Sequence, residues 1–147
     1  MEGMESAKSA ESTANMENTE NMDSAGGVVR KVRIVLVEDD DIFASNFRDI
    51  VSHDERLVYL GCAESAKAGI AMAIEKKPDI VVMDLNLSGF PAMALDGVDA
   101  AREIRLKTGI KIIILTALED EDTTLSACKK SFASGYIFKS HFLDISA

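Results

Sequence analysis

From Lys31 onward two hydrophobic patterns alternate along the chain. Short, almost unbroken aliphatic runs, "KVRIVLV" (31–37), "LVYLGCA" (57–63), "DIVVMD" (79–84), "KIIILTA" (111–117) and "SGYIFK" (134–139), are separated by stretches whose apolar residues recur every three or four positions. The runs predict strands and the periodic stretches predict helices. The first helix, over 40–52, places Phe43, Phe47, Ile50 and Val51 on one face. Ser65 caps the second, over 66–77, which aligns Ala66, Ile70, Ala73 and Ile74. A third follows over 96–107, and a fourth over 120–133 aligns Leu125, Cys128 and Phe132. The tail "SHFLDISA" (140–147) has room for only about two helical turns.

Three of the runs (Ile34–Val37, Ile80–Met83, Ile112–Leu115) are β-branched and aliphatic throughout. Strands of that kind are buried on both faces, which predicts a parallel sheet covered by helices on each side. Repeated strand–helix units with right-handed crossovers give a doubly wound α/β fold, with chemistry at the carboxyl ends of the strands.

Composition separates the two ends of the chain. Residues 1–29 carry six acids and one base, for −5 of the net −9, and no aromatic residue. Such a segment cannot offset its ordering entropy, so 1–29 is expected to be a disordered acidic leader and 30–147 the folded domain. The acidic balance argues against direct nucleic-acid binding by this segment. The absence of a long apolar stretch or a signal-like N-terminus argues against a membrane and for a cytoplasmic protein. Cys62 and Cys128 lack metal-ligand spacing and are expected as buried, reduced thiols. His53 and His141 are expected at the surface.

The strand ends carry the chemistry. The first run stops in "VEDDD", with Glu38 and Asp39 just past Val37; the third stops in Asp84, the fourth in Thr116 and the fifth in Lys139. In a parallel sheet these side chains meet on one edge. Three carboxylates so placed repel one another, and a hard divalent cation, Mg²⁺ or in its place Mn²⁺, relieves the conflict. Asp84 would then act as nucleophile toward a phosphoryl group, with the metal and Lys139 balancing charge and Thr116 bonding a phosphoryl oxygen, to give an acyl phosphate.

In these residues the chain resembles the receiver domains of two-component response regulators, over about residues 31–140. The resemblance implies a flavodoxin-like five-stranded sheet of order 2-1-3-4-5. It maps the acidic pair to Glu38 and Asp39, the phosphoacceptor to Asp84 in "VVMDLN", the hydroxyl residue to Thr116 in "ILTA" and the lysine to Lys139 in "GYIFK". It also implies that Asn86 lends a backbone carbonyl to the metal and that Tyr136 is the switch aromatic. A sensor histidine kinase or a phosphotransfer protein is the implied phosphodonor. A changed face of the fourth helix, fifth strand and fifth helix is the implied output, with a homodimer on phosphorylation as one outcome. The ending "SGYIFKS" is similar to the subfamily with helix-turn-helix output domains. The chain departs from the family pattern in two places. Pro91 stands seven and Gly97 thirteen residues after Asp84, so the 88–95 stretch "SGFPAMAL" adds about five residues. Ser140 stands where the family often has proline, and the terminal helix after it is shorter than the family's, so the natural protein is expected to run on beyond this excised domain.

Two rivals share parts of this chemistry. A haloacid-dehalogenase-type phosphatase also uses an Asp nucleophile, but needs a second Asp where this chain has Asn86. A flavodoxin-like FMN binder needs a phosphate-accepting loop where this chain has "VEDDD". A degenerate receiver that binds partners without being phosphorylated is a third alternative.

Overall fold

The computed structural model describes residues 20–22, 28–85, 87, 96–117 and 121–146. Five strands, β3 (Val32–Val37), β4 (Leu57–Ala63), β5 (Ile80–Asp84), β6 (Lys111–Thr116) and β7 (Gly135–Phe138), form one parallel sheet of order β4-β3-β5-β6-β7. Counted within the sheet this is 2-1-3-4-5, the expected flavodoxin-like order. Ahead of it, β1 (Glu20–Met22) and β2 (Val28–Arg30) pair as a two-stranded antiparallel ribbon. The stretch expected to be a structureless leader thus contains paired backbone; its other residues, 1–19 and 23–27, lie outside the described ones.

Helices α1 (Asp41–Ser52), α2 (Ala66–Lys76), α3 (Asp96–Thr108), α4 (Glu121–Ser131) and α5 (Lys139–Ser146) cover the sheet. On one face α2, α3 and α4 contribute to a cluster with Val35, Val37, Val81, Met83, Ile112 and Ile114. On the other, α1 and α5 bring Phe43, Phe47, Val51 and Phe142 onto Ile34, Leu36, Val82 and Leu115. The alternation of these sets along β3, β5 and β6 is the two-residue pleat at work. Side chains start two of the helices. Asp40 accepts from the Ile42 and Phe43 N–H groups, and Ser65 accepts from Ala68 N–H, filling donors that a helix start leaves bare.

Two expected helix faces hold in part: Ala66, Ile70 and Ala73 of α2 and Cys128 of α4 pack in or against the core as expected, and the larger residues beside them do not. In α2, Ile74 is 46% exposed, and Gly69 and Ala73 are the buried positions. Gly69 lies so close to Val37 that a Cβ there would overlap its methyl groups. Leu125 of α4 and Phe132 just past its end are 43% and 48% exposed, while Thr124, Ala127 and Ser131 are buried. Small side chains let these helices approach the sheet, and the Ser131 hydroxyl donates back to Ala127 O at 2.8 Å, so its burial leaves no bare donor. Phe132 stands just past α4 at φ 59°, a left-handed conformation that removes it from the helical stripe. Cys62 and Cys128 are free and half-buried, and His53 and His141 are exposed as expected.

At the edge where the strands begin, the buried Arg33 of β3 fastens three elements. Its guanidinium donates to Lys77 O (2.8 Å) and Lys76 O (3.0 Å) at the end of α2, and its backbone N–H donates to Asp79 Oδ2 (2.8 Å) ahead of β5. Lys77 ends α2 with φ 49°, a conformation a β-carbon disfavours. Lys77→Gly keeps the carbonyl that Arg33 uses and relieves that conformation. It is expected to stabilise the domain by about 1 kcal/mol, read as a higher urea midpoint at unchanged slope; an unchanged or lower midpoint would contradict it.

Candidate functional site

Strand register brings the chemistry together. Val37 pairs with Met83, Met83 with Ile114, and Ile114 with Tyr136. One rung further lie Glu38, Asp84, Leu115 and Ile137; Thr116 and Phe138 pair on the next, and Lys139 follows as the first residue of α5. Alternation then sorts these residues by face. Leu115, on the rung of Glu38 and Asp84, packs toward α1 and α5, whereas Ile114 and Tyr136 pack toward α2–α4. Thr116, one residue from Leu115, shares the side of Tyr136. The charged pair and the hydroxyl–aromatic pair thus use opposite faces of the same strand ends.

Glu38, Asp39 and Asp84 each offer a carboxylate oxygen, and these oxygens lie within 4.8 Å of one another. Glu38 and Asp84 are buried, and Asp39 is exposed at the mouth. The Lys139 ammonium reaches back between the two buried acids, 2.7 Å from Glu38 Oε1 and 3.4 Å from Asp84 Oδ2. Glu38 Oε2 accepts from Asp40 N–H at 3.0 Å. Asp40, third acid of the "EDDD" run, caps α1 and fixes the loop that carries Glu38 and Asp39.

Burial first, then the neighbouring Asp84 charge, pushes the Glu38 carboxyl above its ordinary value, with Lys139 opposing. Asp39 is raised by desolvation and by Glu38. Burial disfavours the charged form of Lys139, but the contacts with Glu38 and Asp84 outweigh it and hold its pKa above the usual lysine value. All the donors are oxygens, three of them carboxylate, and they outnumber the one cation among them. That set fits a hard divalent cation better than a proton or a soft metal.

Thr116 is wholly buried at the end of β6. Tyr136 is half-buried, edge-on to Phe138 at 5.5 Å between ring centroids. The third helix starts hard against the site, because a Cβ on Gly97 would overlap the Asp84 carbonyl oxygen and crowd Leu85. Five of the expected site residues, Glu38, Asp39, Asp84, Thr116 and Lys139, therefore gather at one edge, with Tyr136 just below. Asn86 and the 88–95 insertion lie outside the described residues. The Lys139–Ser140 bond, uncertain from sequence where proline is replaced, is trans.

One participant was read from sequence only as core. The Phe43 ring lies 5.0 Å from the Lys139 ammonium. The available signal was its place in the first turn of a helix that begins at the acidic loop. Side chains there lean toward the helix N-terminus, and so toward the strand ends.

Comparison with known proteins agrees with this architecture. The family model of the response regulator receiver domain matches residues 34–144. A nitrate/nitrite response regulator homologue of Haemophilus influenzae is 26% identical over 110 residues, 74% of this chain and 50% of its own length. A protein-glutamate methylesterase/protein-glutamine glutaminase of Shewanella denitrificans is 32% identical over 87 residues, 59% of this chain but 21% of its own length. This chain thus spans half or less of either relative, and the enzyme named there is much longer than the matched segment. The crystal structure of a LuxR-family two-component response regulator from Aurantimonas sp. SI85-9A1 superposes with a TM-score of 0.66 at 33% identity, covering 75% of each chain. Among the described residues no helix is long and apolar enough to cross a membrane. With five parallel strands in the order 2-1-3-4-5 and the acids and lysine at their carboxyl ends, the chain belongs to the response regulator receiver domains of two-component signalling.

Proposed function

We propose that Asp84 is the phosphoacceptor of this receiver domain and that a sensor histidine kinase or phosphotransfer protein supplies the phosphoryl group from a phosphohistidine. The observation that carries this reading is the meeting of Glu38, Asp39 and Asp84 with the Lys139 ammonium at one strand edge. An Asp84 carboxylate oxygen attacks phosphorus, the phosphorus–nitrogen bond to the donor histidine breaks, and the imidazole leaves with that electron pair and takes up a proton. The product on Asp84 is an acyl phosphate. Glu38, Asp39 and Asp84, with the Asn86 carbonyl, would hold Mg²⁺, or Mn²⁺ in its place, which when bound supplies positive charge to the phosphoryl oxygens. Lys139 supplies the counter-charge on the protein side. Its ammonium already lies beside Asp84 and needs no long-range movement to meet a phosphoryl oxygen.

Thr116 and Tyr136 carry the readout in this proposal. The hydroxyl of Thr116 moves toward the phosphoryl group, and Tyr136 turns into the space left on their shared face of the sheet. The surface of α4, β7 and α5 changes with them, toward a homodimer or an output partner. Relatives that are transcriptional regulators, including the LiaR protein of Bacillus subtilis, support a DNA-binding output module working with this domain. Direct nucleic-acid binding by this acidic segment itself is not proposed; a cytoplasmic location is.

The test is incubation with Mg²⁺ and acetyl phosphate, followed by intact mass measurement. Wild type gains one phosphoryl group that survives acid and is lost in base, and Asp84→Asn gains none. A wild type that takes up no phosphate from either acetyl phosphate or a competent kinase would leave a binding module without phosphorylation as the function.

The raised carboxyls of Glu38 and Asp39 give a second expectation. A carboxyl raised on folding makes the native state bind more protons than the unfolded chain. Its stabilising contribution is therefore present below the unfolded value, 4.5 for Glu38 and 3.8 for Asp39, and falls away as pH rises through the folded one. Divalent metal binds the deprotonated acids and opposes that loss. The rise in melting temperature caused by Mg²⁺ should grow between about pH 5 and pH 7, and Asp39→Asn should remove most of it. A rise that is the same at both pH values, or that survives in Asp39→Asn, would count against metal binding at these residues.

A further inference from the structure

We infer that Phe43 is a positioning residue for Lys139: its ring holds the ammonium between Glu38 and Asp84, ready for an incoming phosphoryl group. The inference rests on the reading of Asp84 as phosphoacceptor. A lysine has four rotatable bonds and loses much conformational freedom when fixed in one place. Its two ion-pair partners have other work in the reaction: Asp84 is the group that changes when phosphorylated, and Glu38, the nearer at 2.7 Å, is also a proposed metal ligand. An aromatic face offers what a carboxylate does not. It attracts the cation through its quadrupole yet accepts no proton and competes for no metal.

Phe43 is well placed to do this. It is 5% exposed, and its centroid is 5.0 Å from Lys139 Nζ. Its backbone N–H is held by the Asp40 cap at 3.2 Å. Its ring abuts Phe47 at 6.4 Å and Phe142 at 5.7 Å, and Phe47 stacks on Phe142 at 5.0 Å. Phe142 is three residues after Lys139, so Phe43 touches both ends of the first turn of α5. The acidic loop, the ring and the lysine form one chain of contacts, from the Asp40 cap through Phe43 to Lys139.

A ring that only fills core and a ring that holds a cation respond differently to fluorination, which drains the π face while nearly preserving shape. Phenylalanine analogues with one, two and three fluorines are introduced at position 43, beside Phe43→Leu and Phe43→Tyr. Two quantities are read: the rate of phosphoryl incorporation from acetyl phosphate with Mg²⁺, and the acetylation rate of the Lys139 amine by acetic anhydride in metal-free protein. The incorporation rate is expected to fall stepwise along the series, by about three- to tenfold in total. It should fall at least as far in Phe43→Leu and stay near wild type in Phe43→Tyr. Lys139 acetylation should rise in the same order, while melting temperature stays nearly level across the fluorinated forms. Flat rates across the series in a wild type that is phosphorylated overturn the inference and leave the Asp84 reading intact. Graded acetylation in a wild type that takes up no phosphate supports the ring–ammonium contact and overturns the Asp84 reading instead.

Discussion

Three carboxylates kept within one another's reach set the terms for the rest of this domain. Left alone, Glu38, Asp39 and Asp84 would separate or take up protons; the sheet allows neither separation nor easy solvation. Glu38 and Asp84 leave adjacent strands on the same rung and the same side, so the backbone ladder itself holds them together. The fold then meets the repulsion with nearby donors and one cation. Asp40 N–H binds Glu38, and Lys139 comes back from the far edge of the sheet to lie between the two buried acids. Every later feature of the site, including the affinity proposed for a divalent ion, follows from a repulsion the structure contains without cancelling.

The two layers of the sandwich are built from different materials, and the difference follows function. Toward α2, α3 and α4 the core is aliphatic with small contact residues, which lets the helices sit close and leaves Thr116 and Tyr136 on a face lined by Val, Ile and Ala. Toward α1 and α5 it is aromatic, with Phe43, Phe47 and Phe142 stacked beside the charged pair. Large rings define positions through a few broad contacts, which suits the role inferred for Phe43 toward the Lys139 ammonium. A layer of small and branched side chains has more ways to accommodate the turn proposed for Tyr136.

Most of the sheet was legible because its buried strands are written as uninterrupted aliphatic runs, and the ends of four of the five runs named the residues expected at the site. Glu38, Asp84, Thr116 and Lys139 could be placed before any coordinates, since parallel pairing leaves their side chains one shared edge. Helix faces were less legible. In α4 the larger apolar residue Leu125 points outward, while Thr124, Ala127 and Ser131 go in. Periodicity weighs hydrophobicity, whereas the packing there selects for size and for a hydroxyl that can bond its own helix. The pairing of 20–22 with 28–30 was also missed, because composition describes what a segment can bury and not which backbone it can pair. The role inferred for Phe43 was hidden because an aromatic over an ammonium and an aromatic in a core have the same one-letter pattern.

The Arg33 clamp has a mechanical meaning. It ties the start of β3, the end of α2 and the entry to β5 into one block at the edge opposite the acids. The two central strands are therefore fixed to each other at their origins, and the distance between the Glu38 and Asp84 backbones is set from below. Arg33 thus fixes where the register between β3 and β5 begins, and the pairing from Ile34–Ile80 to Val37–Met83 transmits that register to the edge where the charge is.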